Sequence, residues 1–131
     1  MLDMKEVIEA IKNNLTTDLL ARTWLSRNAV QKMAGHCYHA SCVLQNYYPE
    51  LELHRAVDDE GEYHWFCRSE NDIIDITAEQ YTERGLVPPH SKGKRTARLG
   101  WGYPKKVEKL HERVERELSG NKTTLEVFYE R

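Results

Sequence analysis

Cys37, His64 and Asp75 are three side chains whose types, taken together, suit thiol chemistry. Cys37 stands in Gly35-His36-Cys37-Tyr38-His39-Ala40-Ser41, His64 in Tyr63-His64-Trp65-Phe66, and Asp75 in Ile73-Ile74-Asp75-Ile76-Thr77. A thiol enzyme reacts through its thiolate, which the free N–H groups and the dipole of a helix N-terminus favour. An imidazole beside that sulfur holds the anion as an ion pair and later protonates the leaving group, while a carboxylate fixes the tautomer of the ring. The expected activity is a cysteine-dependent hydrolysis or acyl transfer at an amide, isopeptide or thioester bond. Cys37 is the expected nucleophile, His64 the general base and acid, and Asp75 the orienting acid. Gln31, six residues before Cys37, is an expected oxyanion donor together with the Cys37 backbone N–H.

Such a triad needs a helix start for the cysteine and neighbouring strands for the other two. Gly35 permits a sharp turn, and a helix running from Cys37 toward Pro49 carries Cys37, Ala40, Leu44 and Tyr47 along one stripe. The pattern then changes to period two. Leu51, Leu53 and Val57 alternate with polar residues, residues 58–61 read as a turn, residues 63–68 as a strand, residues 69–72 as a turn and residues 73–76 as a strand. A two- or four-residue hairpin loop pairs positions of odd index sum, which places His64 and Asp75 on one face of the sheet.

Around this centre, Met4, Val7, Ile8, Ile11 and Leu15 predict an amphipathic first helix behind Asp3, and Thr17 or Asp18 is expected to cap a second helix carrying Leu19, Leu20, Trp24 and Leu25. Thr77 and Gln80 have the spacing of a capping box for a short helix after Asp75. Residues 85–104 read as a loop that walls a cleft. Val107, Leu110, Val114 and Leu118 mark a last helix, which Gly120-Asn121 is expected to end before a closing strand of Leu125, Val127 and Tyr129. The expected fold is α+β, with helices packed on a small antiparallel sheet in one domain over residues 1–131.

The chain has 131 residues, 40% hydrophobic and 31% charged, with a formal net charge of -2, so it has neither the composition of a disordered chain nor a global pull toward nucleic acid or anionic membranes. Charged residues interrupt the N-terminal segment at once, so no signal peptide or membrane helix is expected there and the cytoplasm is the expected location. Three cysteines without paired spacing predict reduced thiols.

Each of these residues also has an ordinary structural role. Free cysteine is among the most buried residue types, and Cys42 and Cys67 are expected to serve packing alone. His36, Cys37, His39, His64 and Cys67 are ligand types for zinc, but no Cys-x-x-Cys pair is present and neighbouring residues diverge on a helix, so no metal or other cofactor is expected. Lys92, Lys94, Arg95, Arg98, Lys105 and Lys106 run through residues 92–106 without an acid, interleaved with Trp101 and Tyr103. Two functions compete for that loop. As a cleft wall it supplies Trp101 and Arg98, with Trp65 from the sheet, to a protein or peptide substrate. As the working surface of a non-catalytic binding module it holds nucleic acid or a protein partner through phosphate pairing and base stacking. The net charge of the domain favours the cleft wall.

The run from Gly35 to Ser41, the His64-Trp65-Phe66 strand and the segment Ile74-Asp75-Ile76-Thr77-Ala78-Glu79-Gln80-Tyr81 resemble the small YunG-like proteins of bacteria and phages. Those carry a glycine-polar-cysteine helix start, a His-Trp strand and an Asp-x-Thr-x-x-Gln-aromatic segment. Their pattern is similar in turn to the papain-like and transglutaminase-like superfamily, in which a tryptophan follows the histidine and the acid lies in Asp-Pro-Thr. Here Ile76 takes the place of that proline. The resemblance implies a papain-like or transglutaminase-like fold and a Cys37, His64, Asp75 triad. It names no substrate.

Overall fold

Asp3 starts the first helix by accepting the Lys5 backbone N–H on its carboxylate (3.3 Å), and α1 (Met4–Asn13) buries Val7, Ala10 and Ile11. In the computed structural model of the protein, which describes residues 3–31, 33–100 and 103–130 and leaves aside the side chains of Val30 and of residues 121–130, five α-helices pack against a four-stranded antiparallel sheet. The helices after α1 are α2 (Leu25–Val30), α3 (Cys37–Tyr47), α4 (Glu79–Thr82) and α5 (Tyr103–Glu130). The strands are β1 (Glu52–Val57), β2 (Tyr63–Arg68), β3 (Ile73–Ile74) and β4 (Lys94–Arg95), in the order β3-β2-β1-β4.

The helix α3 is the centre of the molecule. All of its residues from Cys37 to Leu44 are buried, because α1 and α5 pack against one side of it and the sheet against another. The core joins Val7 and Ile11 of α1, Val43 and Leu44 of α3, Leu53 and Trp65 of the sheet, and Val107, Leu110 and Val114 of α5. Directly paired residues share a face, so Leu53, Trp65, Cys67 and Ile74 turn toward α3 while His54, His64 and Phe66 turn the other way. That second face is covered by the chain after β3. Phe66 lies edge-on to His90 at 4.8 Å, and a Cβ on Gly93 would stand 2.5 Å from the Phe66 ring.

The expected second helix is replaced by two 3-10 turns, Thr17–Leu19 and Arg22–Trp24, followed by α2. Leu20 and Ala21 are extended between them, with Leu19 and Leu20 in the core, and Asp18 is held by Lys109 (2.8 Å) and by the Arg113 guanidinium of α5. These tertiary contacts outweigh the local helix preference. Neither the helix end at Gly120-Asn121 nor the closing strand forms: α5 continues to Glu130. The Lys- and Glu-rich run before Gly120 favours helix, and one internal glycine costs only about 1 kcal/mol. The capping box is also absent, since α4 starts after Ala78 with no side-chain cap. The Gln80 amide turns instead into the site described next. Within residues 85–104 a 3-10 turn (His90–Lys92) precedes β4, which pairs with β1 and makes this segment an edge of the sheet.

Candidate active site

Cys37 is the first residue of α3. The first bond of that helix runs from the Ala40 N–H to the His36 carbonyl (3.1 Å), so the N–H groups of Cys37, Tyr38 and His39 lie outside its ladder and are free to face an anion. Gly35 sets this entry with φ +84°. A Cβ there would stand 2.8 Å from Leu20 Cδ2 and 3.0 Å from Trp24 Cβ, so close packing and backbone conformation both demand glycine. Gly35→Ala is expected to cost about 2 kcal/mol or more, against about 1 kcal/mol for Gly85→Ala, whose φ is also positive but whose surroundings are open. Denaturant midpoints of the two variants measure the difference; equal losses would mean that the Leu20 and Trp24 packing does not matter.

His64 comes from β2 and Asp75 directly follows β3. The β2–β3 pairing sets Cys67 opposite Ile74 and Arg68 opposite Ile73 across a four-residue loop, so His64 and Asp75 share a face as the parity of their positions requires. His64 Nε2 donates to Asp75 Oδ2 at 2.6 Å, and the ring is fully buried while the carboxylate is 4% exposed. The Cys37 side chain is within hydrogen-bonding reach of the same ring. Burial alone would disfavour the imidazolium, but the hydrogen bonds and charges of Asp75 and Cys37 outweigh it and raise the His64 pKa to about 9. Asp75 and Cys37 thus both favour the protonated ring.

Two further side chains complete the cluster, and neither was visible as a site residue in the sequence. The Gln80 amide approaches His64 Nδ1 at 2.7 Å, so both nitrogens of the ring are engaged. His90 Nε2 donates to Asp75 Oδ2 at 2.6 Å, which puts two imidazoles on one carboxylate oxygen while Asp75 Oδ1 stays buried without a partner among the described residues. Gln80 does belong to the Thr-x-x-Gln spacing that suggested a cap. His90 follows Pro88-Pro89 in the segment read as a wall and offers no signal of its own.

The other expected residues fall in different places. Gln31 is committed elsewhere, since its Nε2 donates to Glu83 (2.7 Å) and its Oε1 accepts the Met33 backbone N–H (2.7 Å). Trp65 is buried beside Cys37, with its ring 4.7 Å from Tyr38 in an edge-to-face pair, and lines a groove of about 510 Å³ that also includes Tyr63, Arg55 and Tyr103. The Arg55 guanidinium stacks on Tyr63 at 4.4 Å. Arg98 points away from that groove and ties the loop to α3, donating to the Cys42 carbonyl (2.9 Å) and to Asn46 (2.8 Å). Trp101 lies outside the described residues. In the basic segment, Lys92 pairs with Asp59 (2.9 Å) and Arg95 with Glu52 (3.1 Å), so part of its charge is spent within the molecule.

The remaining thiols are set apart from the site. Cys67 is wholly buried against the Ser41 carbonyl (3.2 Å), and burial pushes its pKa up to about 12 and that of Cys42 to about 11. His36 and His39 are buried with no hydrogen-bond partner on either nitrogen among the described residues, and burial pulls both pKa values down to about 4. Among the described residues no helix is long and apolar enough to cross a membrane.

The chain is thus a small α+β protein in which a cysteine at a helix start, a buried strand histidine and a carboxylate meet. Residues 1–119 match the family described as YunG protein, and the chain belongs to that family. Neither the curated proteins nor the solved structures contain a significant match to it.

Proposed function

We propose that the protein is a cysteine-dependent hydrolase or acyltransferase that works through Cys37, His64 and Asp75, in an arrangement akin to the papain-like and transglutaminase-like enzymes. The observation that carries this reading is the doubly engaged His64 ring, bonded to Asp75 at 2.6 Å and within reach of a thiol at the start of α3.

In the reaction this supports, the Cys37 thiolate adds to the carbonyl carbon of an amide, isopeptide or thioester. Negative charge builds on the carbonyl oxygen, and the N–H groups of Cys37, Tyr38 and His39, which lie outside the α3 ladder, are donors available to it. The His64 imidazolium gives its proton to the leaving nitrogen or sulfur as that bond breaks. The neutral ring then takes a proton from water or from an acceptor amine, whose attack on the thioester restores Cys37. Asp75 holds the ring through Nε2 throughout, so the proton passes at Nδ1, from which the Gln80 amide swings aside. The aromatic groove beside Cys37, with Trp65 and Tyr63 on its wall, suits an extended or peptide-like substrate. The internal pairing of Lys92, Arg95 and Arg98 favours this reading over a nucleic-acid-binding module.

The test is a panel of activated esters, peptidyl thioesters and aryl amides, with the protein weighed intact after mixing. Wild type should gain the acyl mass and Cys37→Ser should not, and His64→Ala should lower turnover by about 10² to 10⁴-fold. Acylation that survives Cys37→Ser, or none with any donor, contradicts the proposal.

A further inference from the structure

His90 is unexplained by the triad. A thiol site needs one imidazole on its carboxylate, and here a second one, from a separate segment, shares the same oxygen. Three ligand atoms converge as a result: His64 Nε2, His90 Nε2 and the Asp75 carboxylate oxygen all lie within 4.8 Å of one another. Two imidazole nitrogens and a carboxylate oxygen form a donor set that first-row transition metals accept, whereas magnesium and calcium favour oxygen alone.

Three further observations point the same way. Among the described residues Asp75 Oδ1 has no hydrogen-bond partner although it is buried, so the carboxylate has a second oxygen ready for a cation. The other nitrogen of His64 is gripped by Gln80 at 2.7 Å, as the outer nitrogen of a metal-bound histidine is gripped by a second-layer partner. His90, 24% exposed on the 3-10 turn after Pro89, leaves a way in from solvent to a carboxylate that is otherwise enclosed.

We propose that His64, Asp75 and His90 form a binding site for a divalent first-row transition metal of the zinc class, whose occupation takes the His64 ring away from Cys37. The site itself does not rest on the thiol-enzyme reading; only the consequence for Cys37 does. On binding, Nε2 of each histidine gives up its N–H bond to Asp75 and directs a lone pair at the cation, with any displaced proton passing to solvent. His64 then no longer serves Cys37, so the metal is a reversible off-switch.

The full chain should be titrated with Zn²⁺ in a calorimeter, in a buffer that does not bind metals, with Mg²⁺ as a control. Wild type should bind one Zn²⁺ and no Mg²⁺. His90→Gln, which retains a donor to Asp75 and so protects the fold, should weaken Zn²⁺ by about 100-fold. Cys37→Ser should bind within about threefold of wild type, because sulfur is not among the ligands. Co²⁺ in place of Zn²⁺ should give a visible spectrum without a sulfur-to-metal charge-transfer band, a readout that needs no variant to fold. No saturable Zn²⁺ binding by wild type, undiminished binding by His90→Gln, or loss of binding in Cys37→Ser with a cobalt–sulfur band would each overturn the site. Failure of the thiol reading looks different: Zn²⁺ binding would persist while metal-free Cys37 showed no special reactivity.

Discussion

Asp75→Ala is expected to destabilise the protein by about 3 to 5 kcal/mol near pH 6, the range for breaking a buried ion pair by removing one partner. His64 is fully buried and His90 is mostly so, and both donate an Nε2–H hydrogen bond to the carboxylate that the variant lacks. The size of the loss should depend on pH in a direction fixed by His64. Its pKa is raised to about 9 in the fold from 6.5 when unperturbed, so its ionic contribution is complete below pH 6.5 and is lost as pH rises through 9. The gap between variant and wild type should therefore narrow above pH 9 to about 1 kcal/mol, the worth of a neutral hydrogen bond. His36 and His39 act oppositely. With pKa values near 4 they favour the fold above pH 6.5 and weaken it as pH falls below that, but they do so in both proteins and cancel from the difference. Urea unfolding of both proteins at pH 6, 8 and 10 checks this, and a gap that is constant or widens with pH would rule out the charged His64–Asp75 pair.

Cys37 is expected to be alkylated at least about 100-fold faster than Cys42 or Cys67 in the native protein at pH 7.5, because thiolate fraction and access both set the rate. Cys42 and Cys67 are wholly buried, and their thiols are held up at about 11 and about 12 by the cost of a buried anion. Cys37 stands at the wall of the aromatic groove, at the start of a helix and beside an imidazolium. Peptide mapping after brief exposure to iodoacetamide reads all three sites at once. In guanidinium the three rates should become alike. Equal or inverted rates in the native state would remove Cys37 as the nucleophile.

What could be read from the sequence was the part fixed by local rules. Strand alternation and an even hairpin loop suffice to put His64 and Asp75 on one face, and glycine followed two residues later by cysteine marks the helix start. The stripe of Val107, Leu110 and Val114 likewise fixes the buried side of α5. The misses depended on contacts between distant segments. Residues 17–25 have a helical pattern, but α5 holds Asp18 while Leu19 and Leu20 sink into the core, and the chain bends at Leu20 and Ala21 to satisfy both. Leu125, Val127 and Tyr129 alternate over too few residues to decide between strand and helix. Gln31 has an apt spacing from Cys37, yet Glu83 and the Met33 backbone take its amide. His90 reaches Asp75 only because β4 pairs with β1 and brings the turn before it across Phe66, a juxtaposition that no spacing rule encodes.

The claim that Cys37 and His64 form a working pair is tested most directly by the rate of Cys37 alkylation against pH in wild type and His64→Ala, read on the Cys37 peptide and with metals removed. At pH 6 wild type should react about 100-fold faster than the variant, because the neighbouring His64 ring assists attack by the sulfur. Two profiles that coincide from pH 6 upward would contradict the account.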